Sequence, residues 1–220
     1  MPQRAEAIVH ILSPDTFLIV RILIYSRTAG YRHESIPAGV AAISGLGFDA
    51  TATEDPSALA RLDRFAVVVF FNTSEDVLDT PGREALEGYS RGGGGFVGVH
   101  CAAATEYGWP FYGELVGARF ERHPPIRPAV VTVEDATHPA TAHLPARWER
   151  VDEWYDFRTN PRGRVRVLLT LDDPDRPLAW CHANTGGRSF YTALGHTVES
   201  YGEPEFLAHL AGGIRWAACR

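Results

Sequence analysis

Three of the nine histidines in this 220-residue chain, His33, His100 and His196, each follow shortly after a run of apolar residues. An imidazole titrates near neutrality, so in such a place it can take or give a proton, or bind a transition metal when neutral. An acidic and aromatic stretch, Trp148 to Phe157 (WERVDEWYDF), adds Asp152 and Glu153. Two or three imidazoles with a carboxylate suit zinc, manganese or iron. No two of these residues are spaced as a local ligand motif, so His33, His100 and His196 stand both as metal ligands and as proton-transfer residues. A core histidine capping a strand is the plainer alternative for each.

Cys101 lies beside His100. In a strand-to-helix turn of the form G-x-nucleophile-x-small, the third residue occupies the tip. Gly98-Val99-His100-Cys101-Ala102 puts His100 there, which makes Cys101 a buried structural thiol before it is a nucleophile. His123 and His138 each precede a proline and read as turn residues. Arg32 is either a clamp for a carbonyl or carboxylate or a solvated loop arginine. Trp109, Trp154 and Tyr155 could stack against a sugar ring or simply fill the core. Trp180 and Trp216 fit strand and helix patterns and read as core.

These residues need a frame. Arg21 to Ser26, Phe48 to Thr53, Phe65 to Phe71 and Phe96 to Val99 read as strands. Between them, Ile36 to Leu46 with Pro37 in its first turn, a short helix opened by Asp55-Pro56-Ser57, and a helix opened by Thr80-Pro81 supply the crossovers. That alternation makes a doubly wound parallel sheet. The polar residues at three strand ends, Tyr31-Arg32-His33, Asn72-Thr73 and His100-Cys101, then meet on one edge, where ligands of open α/β sheets bind. Further on, the pattern predicts a short helix near Trp109 to Val116, a strand at Pro128 to Glu134, and a turn-rich segment up to Pro145. Strands at Val165 to Thr170, Leu178 to His182 and Arg188 to Thr192 follow, joined by turns that favour antiparallel hairpins. A C-terminal helix runs from Pro204 to Ala218.

A hydrophobic content of 45% supplies a core, and a formal charge of -6 with no basic run speaks against nucleic acid or an anionic membrane as partner. Lysine is absent, which removes Schiff-base and lysine-base chemistry. Three cysteines without CxxC spacing suggest neither a disulfide framework nor a zinc knuckle, and a cytoplasmic location fits them. Residues 1–20 read as a poorly defined extension with neither a signal peptide nor a membrane span, and 21–220 as one domain.

The segments SRTAGYRHESI, GVHCAAAT, WPFYGELVGARFERHP, HPATAHLP, DEWYDF, PLAWCH and GRSFYTALGH, in that order, resemble the trehalose-utilisation (ThuA-like) family from about Arg21 to Trp216. The resemblance implies a class I glutamine amidotransferase-like, flavodoxin-like fold: a doubly wound, mostly parallel sheet with an antiparallel strand region added in the C-terminal half. It also implies that glutaminase chemistry is not expected, since amidotransferases carry cysteine at the tip where this chain has His100. The family is associated with breakdown of trehalose and related disaccharides through 3-keto sugars made by a partner dehydrogenase. The expectation is therefore a carbohydrate-active protein with a functional link to a sugar dehydrogenase and a homodimer as the default assembly. His100 or His196 would be the base, Glu153 the acid or a metal ligand, and Arg32 with His33 would hold the carbonyl. Tyr31, Asn72, Trp109, Asp152, Trp154 and Tyr155 would line the substrate, and a divalent transition metal (Zn, Mn or Fe) could serve the same polarising role. A non-catalytic sugar-binding or regulatory module and a cysteine hydrolase are the rival readings.

Overall fold

The computed structural model describes residues 20–171 and 175–219; the expected N-terminal extension lies outside the described residues apart from Val20. In chain order the elements are β1 (Arg21–Tyr25), α1 (Ile36–Ser44), β2 (Asp49–Thr53), β3 (Val67–Phe71), α2 (Thr80–Arg91), β4 (Gly95–Val99), α3 (Pro110–Val116), β5 (Phe120–Arg122), β6 (Arg127–Val133), β7 (Arg147–Asp152), β8 (Asp156–Phe157), β9 (Arg166–Leu171), β10 (Pro177–His182), β11 (Ser189–Thr192) and α4 (Pro204–Ala218). Nine strands form one sheet in the order β2-β1-β3-β4-β11-β10-β9-β6-β7. The first five of these pair in parallel, and from β11 onward every pairing is antiparallel. This is an α/β fold with a large parallel block and an antiparallel extension.

The parallel block follows from its residues. β3 (VVVFF) and β4 (GFVGV) are buried at every position, as strands covered on both faces must be. Pro at the start of α1, α2, α3 and α4 sets the first helical turn where its missing N–H costs nothing. Asp79 caps α2 by accepting from the Gly82 amide. Gly95 opens β4 because a Cβ there would stand 2.3 Å from the Ala217 carbonyl oxygen, so the end of α4 can press against the sheet.

Three expectations need adjusting. After β4 the chain makes a single 3-10 stretch, His100–Ala104, where a helix was expected. β11 belongs to the hairpins as anticipated but also lies parallel to β4, so it joins the two halves of the sheet. The acidic-aromatic stretch, for which the pattern predicts no strand, is partly strand. Its first part is β7, with Trp148, Arg150 and Asp152 facing inward and Val151 outward.

Candidate functional site

The site forms where the carboxyl ends of β1, β3, β4 and β11 meet the segment after β7. The loop after β1 delivers His33, the end of β4 delivers His100, and the turn after β11 delivers His196. Glu153 and Tyr155 arrive from the far edge of the sheet. One potential ligand atom from each of His33, His100, Glu153 and His196 lies within 4.8 Å of the others, and all but His196 are buried. Sequence separations of up to 163 residues between them explain why no local motif announced the group.

The backbone here is forced. His100 holds a left-handed φ of 49°, and Asn72, Glu75 and Glu106, also in the loops after β3 and β4, hold φ of 50°, 60° and 53°. Each such residue costs about 1–2 kcal/mol. All the non-glycine residues of this kind among the described residues fall in these two loops. His100 therefore sits at the tip of the turn, as its motif position suggested. The Tyr191 hydroxyl donates to the His100 carbonyl at 2.8 Å, and the Asn72 side chain accepts from the Cys101 amide at 3.3 Å, which pins the strained turn.

Hydrogen-bond geometry sets the protons. His100 Nδ1 lies 2.6 Å from the Ala193 carbonyl oxygen, which can only accept, so Nδ1 carries a proton and, when the ring is neutral, Nε2 offers a lone pair. That lone pair faces Glu153 Oε2 at 3.4 Å and His196 Nδ1 at 3.2 Å, while His196 Nδ1 is 3.2 Å from the same carboxylate oxygen. The Tyr155 hydroxyl stands 3.0 Å from His100 Nε2. His33 Nδ1 is buried with no hydrogen-bond partner. Burial, followed by the nearby His100 and His196, lowers His33 to about 3, so its ring is neutral. Burial pushes the Glu153 carboxyl upward, but the imidazoles of His100 and His196 outweigh it and keep it ionised. Its hydrogen bond to Glu153 raises the His196 pKa. A buried carboxylate and three imidazoles that each bring a potential ligand atom within 4.8 Å of the others are the donor set of a cation site, and His100 backed by a carbonyl has the usual second tier of such a ligand.

A cleft of about 360 Å³ opens on the cluster, walled by Tyr107, Phe120, His123 and Tyr155 with Glu75 and Glu153. His123, read from sequence as a turn residue, holds its Nδ1 3.1 Å from Glu153 Oε1 and 3.0 Å from the Pro124 carbonyl oxygen. Its only signal was membership of the FERHP segment. Tyr31, 64% exposed, stands at the mouth with its ring edge-on to His33.

Most of the other candidates are not among the residues that line the cleft. Arg32 is half-exposed and forms a two-pronged pair with Glu54, at 2.7 and 3.2 Å. Trp154 is buried and donates to the Arg127 carbonyl, and Trp109 packs on Phe111 and Tyr112. Asn72 is buried, donating to Ser35. Asp152 is buried too. It accepts from Arg150 and from the amides of Glu153, Gly195 and His196, so it fixes the positions of two cluster residues from behind. Cys101 borders the cleft, but burial pushes its thiol up to about 12, which leaves little thiolate for nucleophilic attack.

A family model described as trehalose utilisation, ThuA, matches residues 21–217. The chain belongs to the ThuA family. A solved ThuA-like protein from Bacteroides uniformis is 25% identical and superposes with a TM-score of 0.76, over 90% of this chain and 91% of that one. A ThuA-like protein from Parabacteroides merdae, 19% identical, superposes with a TM-score of 0.77 over 91% and 90%. A protein of Salmonella typhimurium described as cytoplasmic shares the fold at 13% identity, with a TM-score of 0.66 over 92% and 100%. No curated protein matches the sequence. Among the described residues of this ThuA-family chain, no helix is long and apolar enough to cross a membrane.

Proposed function

We propose that this ThuA-family protein is a metal-assisted enzyme acting on a keto-glycoside, with a divalent transition metal held by His33, His100, Glu153 and His196. The observation that carries this reading is the convergence of those four ligand atoms within 4.8 Å, with His33 Nδ1 unpartnered and His100 Nε2 left as a lone pair. Zinc, manganese or iron would take three imidazoles and a carboxylate, and such an ion, when bound, polarises a sugar carbonyl oxygen. The first five strands run in the order β2-β1-β3-β4-β11, equivalent to the flavodoxin-like 2-1-3-4-5. That order supports placing the fold with the class I glutamine amidotransferase-like proteins, with His100 where their nucleophile would be.

The chain's own residues then have separable tasks. Phe120, Tyr107 and Tyr155 offer apolar faces to a sugar ring. His123 is the proton acceptor: its Nδ1 is held between two acceptors and so carries the proton, leaving Nε2 free. A keto group acidifies the adjacent C–H. Nε2 takes that proton, the electron pair forms a C=C bond to the anomeric carbon, and the glycosidic C–O bond breaks. The departing oxygen takes the proton back from the imidazolium, so atoms and charge balance and no redox partner is consumed. The keto group itself must come from a prior oxidation, which is the place for a sugar dehydrogenase.

The test is elemental analysis of protein purified without chelator or affinity metal, beside turnover of 3-keto-trehalose. About one transition metal per chain is expected in the wild type, lost in His100→Ala. His123→Ala should keep the metal and lose about 10²-fold or more in kcat. Wild-type protein that takes up no zinc, manganese or iron on supplementation and turns over no keto-sugar would overturn the reading in favour of a sugar-binding module.

A further inference from the structure

A second cleft, of about 230 Å³, adjoins the first and is lined by Glu34, Ile126, Thr197, Val198 and Glu199 among others. The two share Tyr31, His33 and His196. Their junction is therefore at the histidine cluster, and a ligand that fills both would place the bond linking its two parts there.

We propose that the second cleft is a subsite for the departing ring of a neutral, unphosphorylated disaccharide, held on Tyr31, Ile126 and Val198. This rests on the keto-glycoside reading and specifies the substrate for the same site. Tyr31, Ile126, Val151 and Val198 are the large hydrophobic residues that stay exposed among those described, and all but Val151 line this one cleft. Apolar side chains left in water beside a reactive cluster provide a surface for the apolar face of a sugar ring, and Glu34 and Glu199 are placed to accept from its hydroxyls. Charge narrows the class further. Glu75 and Glu153 line one cleft and Glu34 and Glu199 the other, and no arginine is among the lining residues of either. The sequence has no lysine, and Arg32 nearby is engaged with Glu54. A phosphorylated ring in the second cleft would meet carboxylates and no guanidinium, which phosphate recognition ordinarily uses.

The experiment compares 3-keto-trehalose with methyl 3-keto-glucoside, a one-ring probe, on wild-type protein and on Val198→Asp and Ile126→Ser, with thermal melting as a check on folding. The expected result is about a tenfold fall in kcat/KM for the disaccharide, carried by KM, with the one-ring probe unchanged. Unchanged values for the disaccharide, or equal losses for both probes, overturn the subsite. If the wild type turns over neither probe, the enzyme reading fails by itself and calorimetry decides the subsite. Tighter binding of trehalose than of glucose, abolished by Val198→Asp, supports it; equal affinities overturn it. Trehalose 6-phosphate should compete at least tenfold more weakly than trehalose, and equal competition overturns the neutral-ligand assignment.

Discussion

Two buried glutamates in the loops of this sheet have opposite surroundings. Glu106 is fully buried after β4 and receives the Val77 and Leu78 amides on one oxygen, at 2.9 and 2.8 Å, and Arg83 on the other, at 2.8 Å. Every partner is a donor, so the carboxylate is closed and braces the loops. Glu153 instead meets His100, His196 and His123, whose rings can give protons, take them or bind a cation. Burial alone does not separate scaffold from site. What separates them is whether the partners already satisfy the charge or compete for the same protons.

The largest contrast is expected from removing each carboxylate in turn. Glu153→Ala should abolish bound metal and reduce keto-sugar turnover by about 10³-fold or more while the protein still folds, read by elemental analysis, steady-state rates and circular dichroism. Turnover that survives with metal intact would erase the distinction. Glu106→Ala should do the reverse, costing about 2–4 kcal/mol in urea unfolding because two buried amides lose their acceptor, with the metal stoichiometry of the folded fraction unchanged. A stable Glu106→Ala protein would mean that water replaces the carboxylate there.

Chelation sharpens the comparison at a smaller scale. Adding a chelator should lower the melting temperature of the wild type, since a ligand bound only to the folded state stabilises it, and leave that of Glu153→Ala unmoved. An equal fall in both would locate the metal elsewhere.

Imidazoles in the scaffold give a pH signature of their own. Burial lowers His209 to about 3 and His138 and His182 to about 4, from 6.5. The unfolded chain therefore binds more protons than the folded one in this window. Stability should be full above about pH 6.5 and fall by up to about 1.4 kcal/mol per pH unit per histidine as pH drops toward 4. His209→Gln should flatten part of that slope in urea midpoints measured across the range, and an unchanged slope would remove His209 from the account. The smallest effect belongs to Arg32→Ala. It breaks an exposed pair with Glu54 and should change stability by less than about 1 kcal/mol and KM hardly at all. A large rise in KM would restore Arg32 as a substrate clamp.

Much of the parallel block was legible. Unbroken apolar runs such as Val67–Phe71, prolines at helix starts and the abrupt stop at His100 each state their structure locally. β7 was not legible, because its inward positions include Arg150 and Asp152, which pair with each other at 3.0 Å, while Val151 faces outward. Reversing the polarity of the alternation hides a strand from any hydrophobic pattern. His123 was passed over because a histidine before proline looks like a turn residue until the partner across the cleft is seen. Trp154 was left open between a sugar platform and a core, since the same indole suits both, and its burial with a bond to the Arg127 carbonyl places it in the core.

By itself the sequence determined the family, the strand–helix alternation and the histidines that end strands, since these depend on residue type, local spacing and motif order. Tertiary structure alone decided that His33, His100, Glu153 and His196 share one spot while Arg32, Asn72 and Trp109 do not. The physical reason is that ligand atoms within 4.8 Å come from loops on both halves of the sheet. Their meeting depends on β11 pairing with β4, on the register of β7 and on the Asp152 bonds that hold two of them, none of which leaves a trace in local sequence.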